Sequence, residues 1–246
     1  AGGTYQVSLV VTDNRGATTS IIHPATPTAP VNPAFANDTF NRTVTGGLGT
    51  ADTGGAWTTT GNAANLSVSP GAAAFRLTAA GALLTGYLPS TVRANADVAA
   101  TMTADKVVTG NGLYATVTAR RVSTNNEYRA RLRFTSTGQV TLLLTRMVGG
   151  TETALGSEVT VAGLTYTAGV AISIRVQVSG SGPTTLRARA WRTAGTEPTT
   201  WAATSTDATA SLQGTGAVGV SGYLSGSATN APVTLRISAF TAKPVA

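Results

Sequence analysis

Cysteine is absent from the 246 residues, and histidine occurs once, at His23. Without thiols there is no cysteine nucleophile, no thiolate zinc site and no disulfide framework. A β-sandwich of roughly 200 residues buries enough surface to do without disulfides, so their absence does not argue against export. Ser–His–Asp catalysis would rest on His23, which stands beside a run of prolines. Acids are scarce, 10 against 17 basic residues. Aromatics are only 6% of the chain, so Ala, Val and Leu must fill most of the core. No apolar run reaches the roughly 20 residues of a membrane helix, and no membrane insertion is expected.

What is plentiful is Thr, Gly, Ser and small apolar residues, a mixture suited to short strands and tight turns. Tyr5, Val7, Leu9 and Val11 alternate with Gln6, Ser8 and Val10, the pattern of a half-buried strand. Asp13-Asn14-Arg15-Gly16 is a turn signal, and the chain returns from Ala17 to Ile22 as a hairpin over residues 1–22. Pro24, Pro27, Pro30 and Pro33 mark residues 23–34 as an extended linker. From Phe35 onward strands alternate with Gly-rich turns. Clear runs are Leu113 to Val122, Glu127 to Thr135, Gln139 to Met147, Gly169 to Val178, Thr184 to Arg192, Ala217 to Leu224 and Val233 to Ala242. The expected fold class is all-β, a two-sheet antiparallel sandwich over 35–246 with no convincing helix.

Gly3-Thr4-Tyr5-Gln6-Val7-Ser8-Leu9-Val10-Val11-Thr12-Asp13-Asn14-Arg15-Gly16-Ala17 resembles the closing hairpin of a PKD repeat. That resemblance implies an extracellular, non-catalytic spacer. Asp38-Thr39-Phe40-Asn41-Arg42, then Gly47 to Trp57 with Leu48 where Trp is common, resembles the opening of a module of secreted bacterial proteins. Arg187 to Arg192, Glu197-Pro198, Trp201, Asp207 and Tyr223 to Val233 continue the likeness. Such modules are similar to laminin-G-like and concanavalin A-like jelly rolls, appended to glycoside hydrolases and surface proteins and also found in phage tail proteins. The resemblance implies a secreted chain, with catalytic or surface domains of a longer parent protein upstream. Relatives often carry acidic residues near their end, beside a calcium site. Here that stretch reads Arg236-Ile237-Ser238-Ala239-Phe240. Asp38 is the one calcium ligand the resemblance supports; turn capping is its other role.

The candidate binding residues follow from strand alternation. Arg129, Arg131 and Arg133 share one face of their run, opposite Tyr128, Ala130, Leu132 and Phe134. Arg187, Arg189 and Trp191 share a face of theirs, Arg175 lies on a third run, and Tyr114 and Arg120 on a fourth. If these strands are neighbours in one sheet, they form an Arg/Tyr/Trp surface. Aromatic rings stack on sugars, and Arg forks bind carboxylate or sulfate, which suits an acidic polysaccharide. With so few acids, most of these arginines are expected to lack a partner. The bland alternative is a solvated outer face.

Catalysis is not expected, because glycoside hydrolysis needs two placed carboxylates and no short-spaced acidic strand motif occurs. Two lysines and no recognition motif argue against nucleic acid despite the net charge of +7. The leading expectation is a secreted, non-catalytic carbohydrate-binding module. The alternative is a structural or adhesive module of a cell surface or phage tail with no sugar site; a hydrolase ranks third.

Overall fold

A computed structural model describes residues 5–25 and 33–245. They fall into two units, within residues 1–33 and 34–246. The first is a hairpin of β1 (Tyr5–Thr12) and β2 (Thr18–Ala25). Asp13 shapes its turn, its Oδ1 accepting from Arg15 N at 2.9 Å and Ala17 N at 2.8 Å. β2 continues past Ile22, with His23 opposite Val7 and Pro24 opposite Gln6. The hairpin therefore outlasts its expected end at residue 22. The middle of the expected linker, 26–32, lies outside the described residues.

The larger unit opens with β3 (Ala36–Asp38), β4 (Val44–Thr45), β5 (Thr58–Thr60), β6 (Leu66–Ser69) and β7 (Ala72–Leu77). Long strands follow: β8 (Leu83–Arg93), β9 (Ala96–Ala104), β10 (Leu113–Ser123), β11 (Asn126–Phe134) and β12 (Gln139–Val148). Then come β13 (Thr151–Ala154), β14 (Val159–Thr165), β15 (Ile172–Ser179) and β16 (Thr184–Arg192). β17 (Ala203–Asp207), β18 (Gly216–Leu224) and β19 (Val233–Lys243) complete it. The only helical turns among the described residues are two 3-10 turns, Ala63–Asn65 and Ala210–Leu212.

Two antiparallel sheets make the sandwich. One has the order β13-β12-β11-β10-β18-β8-β5, with β14 also pairing β12. The other runs β17-β16-β15-β9-β19-β7-β6-β4, with β3 also on β19. Alternation places the core between them. Tyr128, Ala130, Leu132 and Phe134 of β11 are fully buried, as are Ile172, Ile174, Val176 and Val178 of β15. Burying such apolar side chains is the main stabilising term.

Two bulges reset the alternation. In β19 the register against β9 shifts between Ile237 and Ala239. Inward parity therefore moves from Val233, Leu235 and Ile237 to Phe240 and Ala242. In β10 the register against β11 shifts between Thr118 and Arg120. Arg120 then falls opposite the inward Tyr128, and Arg121 opposite the outward Glu127.

Candidate functional site

The expected single Arg/Tyr/Trp face does not form, because its strands divide between the sheets. Tyr114, Arg129, Arg131 and Arg133 lie on the outer face of the eight-stranded sheet; Arg175, Arg187, Arg189 and Trp191 lie on the nine-stranded sheet. Alternation reports which face of a sheet a residue takes, not which sheet its strand joins. Arg120 joins neither face. The bulge turns it inward, where it is 0% exposed. Its Nη1 donates to Thr184 Oγ1 at 2.8 Å and Leu212 O at 3.3 Å, and its Nη2 to Gly180 O at 2.9 Å and to Ala94 O. Burial pushes its pKa down. Arg120 ties loops together and is unavailable to a ligand.

Asp38 also has a structural role. Its Oδ1 accepts from Phe40 N at 2.8 Å and Arg42 Nη1 at 2.7 Å; its Oδ2 accepts from Arg42 Nη2 at 2.8 Å and Trp57 Nε1 at 2.6 Å. The Asp38 hydrogen bond holds the Arg42 guanidinium above its ordinary pKa. Trp57 packs against Phe40 at 6.1 Å and Phe240 at 5.2 Å between ring centroids. A calcium ion needs several free oxygen ligands. Asp38 has both oxygens saturated by donors, and no group of three or more His, Asp or Glu residues gathers among the described residues. The expected calcium ligand does not fit the ion.

Nor are most arginines unpartnered. Each of three acids serves two of them: Glu127 holds Arg121 and Arg129, Glu152 holds Arg129 and Arg131, and Glu197 holds Arg175 and Arg189. Arg42, Arg133 and Arg146 pair with Asp38, Glu158 and Asp207. Sharing lets seven acids hold eight arginines.

On the eight-stranded sheet, cross-strand register assembles a groove. Tyr114 stands opposite Tyr223 of β18 and Arg133 of β11; Thr116 stands opposite Ser221 and Arg131. The two tyrosine rings lie 5.8 Å apart at 39°. Arg131 and Arg133 stack on Tyr114, with Cζ at 4.9 and 5.8 Å from its centroid. Glu152, carried on β13, reaches Arg129 Nη2 and Arg131 Nη1 at 2.6 Å each. Arg133 Nε donates to Asn111 O at 2.8 Å. Tyr114, Tyr223, Arg129, Arg131 and Glu152 line a cavity of about 510 Å³ together with Ser225, Gly226 and Ser227. That volume is within the range of small-ligand sites.

A second cavity of about 330 Å³ adjoins it, sharing Leu83, Arg129, Met147 and Ser221 and adding Tyr87, Arg121 and Glu127. Gly219 makes room here: a Cβ there would stand 2.4 Å from Tyr87 Cδ1, so glycine lets the ring lie over β18. Arg121 Cζ sits 4.3 Å above that ring. Burial, then the Glu127 charge, pushes the Tyr87 hydroxyl up to about 12. Burial also pushes the Glu127 carboxyl above its ordinary pKa, although Arg129 and Arg121 oppose the shift. Glu127, Glu152, Tyr87 and Tyr223 were not among the expected site residues. Glu127 shares the parity of Arg129, and Tyr223 sits in an expected strand, so alternation could have found both. Nothing local marks Glu152 or Tyr87.

The nine-stranded sheet presents a different surface. Arg175 lies between Asp97, with Nε to Oδ1 at 2.7 Å, and Glu197 at 2.9 Å. Partial burial pushes Glu197 up, but Arg175 and Arg189 hold it below its ordinary pKa. Arg187 donates to Gln177 Oε1 at 2.8 Å. Arg187 and Arg189 lie over the Trp201 ring at 4.9 and 4.2 Å. Trp191 lines a smaller cleft of about 290 Å³ with Pro198 and Arg189.

No family model matches the chain, and no curated protein matches it by sequence. Its fold does have solved counterparts. The GH43 protein BlXynB of Bacillus licheniformis, as a variant, aligns at TM-score 0.54 and 13% identity, over 96% of this chain and 46% of that one. The chain thus spans about half the length of that protein. The carbohydrate-binding module CBM66 of Bacillus subtilis aligns at 0.50 and 12% identity, over 76% of this chain and 94% of the module. A β-glucanase of Bacillus licheniformis aligns at 0.52 and 12% identity, over 85% and 97%. At these identities the likeness is one of fold: a jelly-roll sandwich of the concanavalin A-like kind. None of these comparisons supports the PKD resemblance of the hairpin.

Proposed function

We propose that the sandwich is a non-catalytic carbohydrate-binding module that holds a polysaccharide in the groove of the eight-stranded sheet. The observation that carries this reading is the Tyr114–Tyr223 pair flanked by the Arg129–Glu152–Arg131 network. The rings supply an apolar platform. The charged network supplies donors and acceptors for hydroxyls, with Glu152 holding Arg129 and Arg131 in place. The likeness to a carbohydrate-binding module and to a glucanase supports the reading at the level of fold. We place the module outside the cell, in a longer protein whose other domains it would bring to the polysaccharide, with a PKD-like hairpin before it.

Charge in the groove is close to balanced, with Arg121, Arg129 and Arg131 facing Glu127 and Glu152. Hydroxyl contacts therefore lead over charge. An acidic polysaccharide is a second reading, favoured by the net charge of +7 and by Arg187, which has no carboxylate partner among the described residues. Retention on barley β-glucan, xylan and polygalacturonate at low and high salt separates the two. Salt-insensitive retention on a neutral polymer supports the groove. Salt-sensitive retention on polygalacturonate alone supports the acidic reading. Retention on none favours a structural or adhesive module.

A further inference from the structure

The inner end of the groove holds three buried atoms that lack hydrogen-bond partners, Glu127 Oε2, Arg121 Nε and Arg129 Nε, of which the first two face each other. These two stand 3.7 Å apart, too far for a hydrogen bond to each other. The Glu127 side chain is only 3% exposed. Its other oxygen, Oε1, makes long contacts, 3.4 Å to the Tyr87 hydroxyl and 3.3 Å to Arg129 Nη1. A buried acceptor and a buried donor left open cost free energy in the empty protein.

We propose that this end is a second sugar subsite, in which one ligand hydroxyl bridges Glu127 Oε2 and Arg121 Nε. The inference rests on the reading of the groove as a sugar site and names the chemistry taken at its far end. A hydroxyl donates and accepts at once, and an oxygen about 2.8 Å from each atom spans a gap of this width. A uronate carboxylate would instead meet the buried Glu127 charge, so this position takes an uncharged sugar. Neither atom touches solvent in the empty groove. Binding there requires the Arg121 side chain, 22% exposed, to shift and admit the hydroxyl. The two subsites are coupled through Arg129, which bonds both Glu127 and Glu152. From the Arg133 row to Glu127 is six residues of β11, about 20 Å. The groove thus reads an internal run of several sugars rather than one unit.

The test is calorimetric titration with cello-, xylo- and laminari-oligosaccharides of two and six units. Wild type, Glu127→Gln, Arg121→Met and Tyr223→Ala are compared, with thermal melts confirming folding. The subsite predicts that the hexasaccharide binds wild type at least tenfold tighter than the disaccharide. Glu127→Gln and Arg121→Met should each remove most of that gain, with a much smaller loss in disaccharide binding passed on through Arg129. If Tyr223→Ala weakens binding but Glu127→Gln and Arg121→Met do not, the pair is only a loose ion pair. The subsite is then wrong while the groove reading stands. If no oligosaccharide binds, or Tyr223→Ala has no effect, the groove reading fails and the subsite with it.

Discussion

Replacing Asp38 with Ala should be among the most destabilising single changes in the sandwich. The side chain is fully buried and takes four hydrogen bonds, from Phe40 N, Trp57 Nε1 and both terminal nitrogens of Arg42. Arg42 is 20% exposed and keeps Leu48 O as an acceptor, so its charge is partly relieved by water. The Trp57 indole, 7% exposed, has no such relief. Removing one partner of a buried pair costs about 3–5 kcal/mol, of which a stranded buried donor accounts for about 1–3 kcal/mol. At about 2–4 °C per kcal/mol for a domain this size, Tm should fall by roughly 6–20 °C. Asp38→Asn, which keeps an acceptor for Trp57, should fall between Asp38→Ala and wild type. Differential scanning calorimetry reads both, and wild type should melt identically with calcium and with EDTA. A loss below about 1 kcal/mol in Asp38→Ala, or a Tm raised by calcium, would refute the account of Asp38 as a donor-saturated tie.

Three further outcomes are expected. Arg120→Met should lower stability by about 2–4 kcal/mol, since four acceptors lose their donor, yet leave polysaccharide affinity unchanged; weakened binding without a stability loss would restore Arg120 to a binding role. Glu127 has its folded pKa raised above 4.5 by burial, so its contribution to stability is full below about that pH and is lost as pH rises through the folded value. Glu127→Gln does not titrate and should therefore gain Tm over wild type progressively above pH 4.5 and match it below; a pH-independent difference would contradict the buried-carboxylate picture. Burial pushes Tyr87, Tyr128 and Tyr166 up to about 12, so alkaline absorbance titration should show three tyrosines still protonated until near pH 12, with folding stability falling as pH rises from about 10, where unfolded tyrosine ionises, to about 12.

The sandwich was legible where apolar side chains are large and strictly alternate. The Arg-faced run of β11 and the Val/Ile run of β15 read directly as strands, though β15 begins at Ile172 rather than Gly169. β9 was missed because its inward residues are mostly alanines, Ala96, Ala100 and Ala104, which carry little periodic signal. β8 was missed because Gly86 and Pro89 interrupt a central strand. The bulge in β10 is invisible to a period-two reading, and it carries Arg120 from the expected face into the core. The partition of two look-alike arginine strands between sheets depends on long-range pairing, which local pattern does not encode. The groove itself needs β13, β12, β11, β10, β18 and β8 side by side in that order. Of its residues, the expected site held only Tyr114 and the β11 arginines, although alternation also reaches Glu127 and Tyr223.

The central claim is that the Tyr114–Tyr223 groove, not the opposite sheet, binds polysaccharide. Isothermal titration of the retained polymer into wild type, Tyr114→Ala/Tyr223→Ala and Arg187→Ala/Trp191→Ala tests it directly. Loss of two aromatic contacts at about 1 kcal/mol or more each predicts at least a roughly thirtyfold weaker Kd for the tyrosine variant, with the Arg187/Trp191 variant unchanged. Undiminished affinity in the tyrosine variant, with loss in the Arg187/Trp191 variant, would move the site to the nine-stranded sheet and contradict the account.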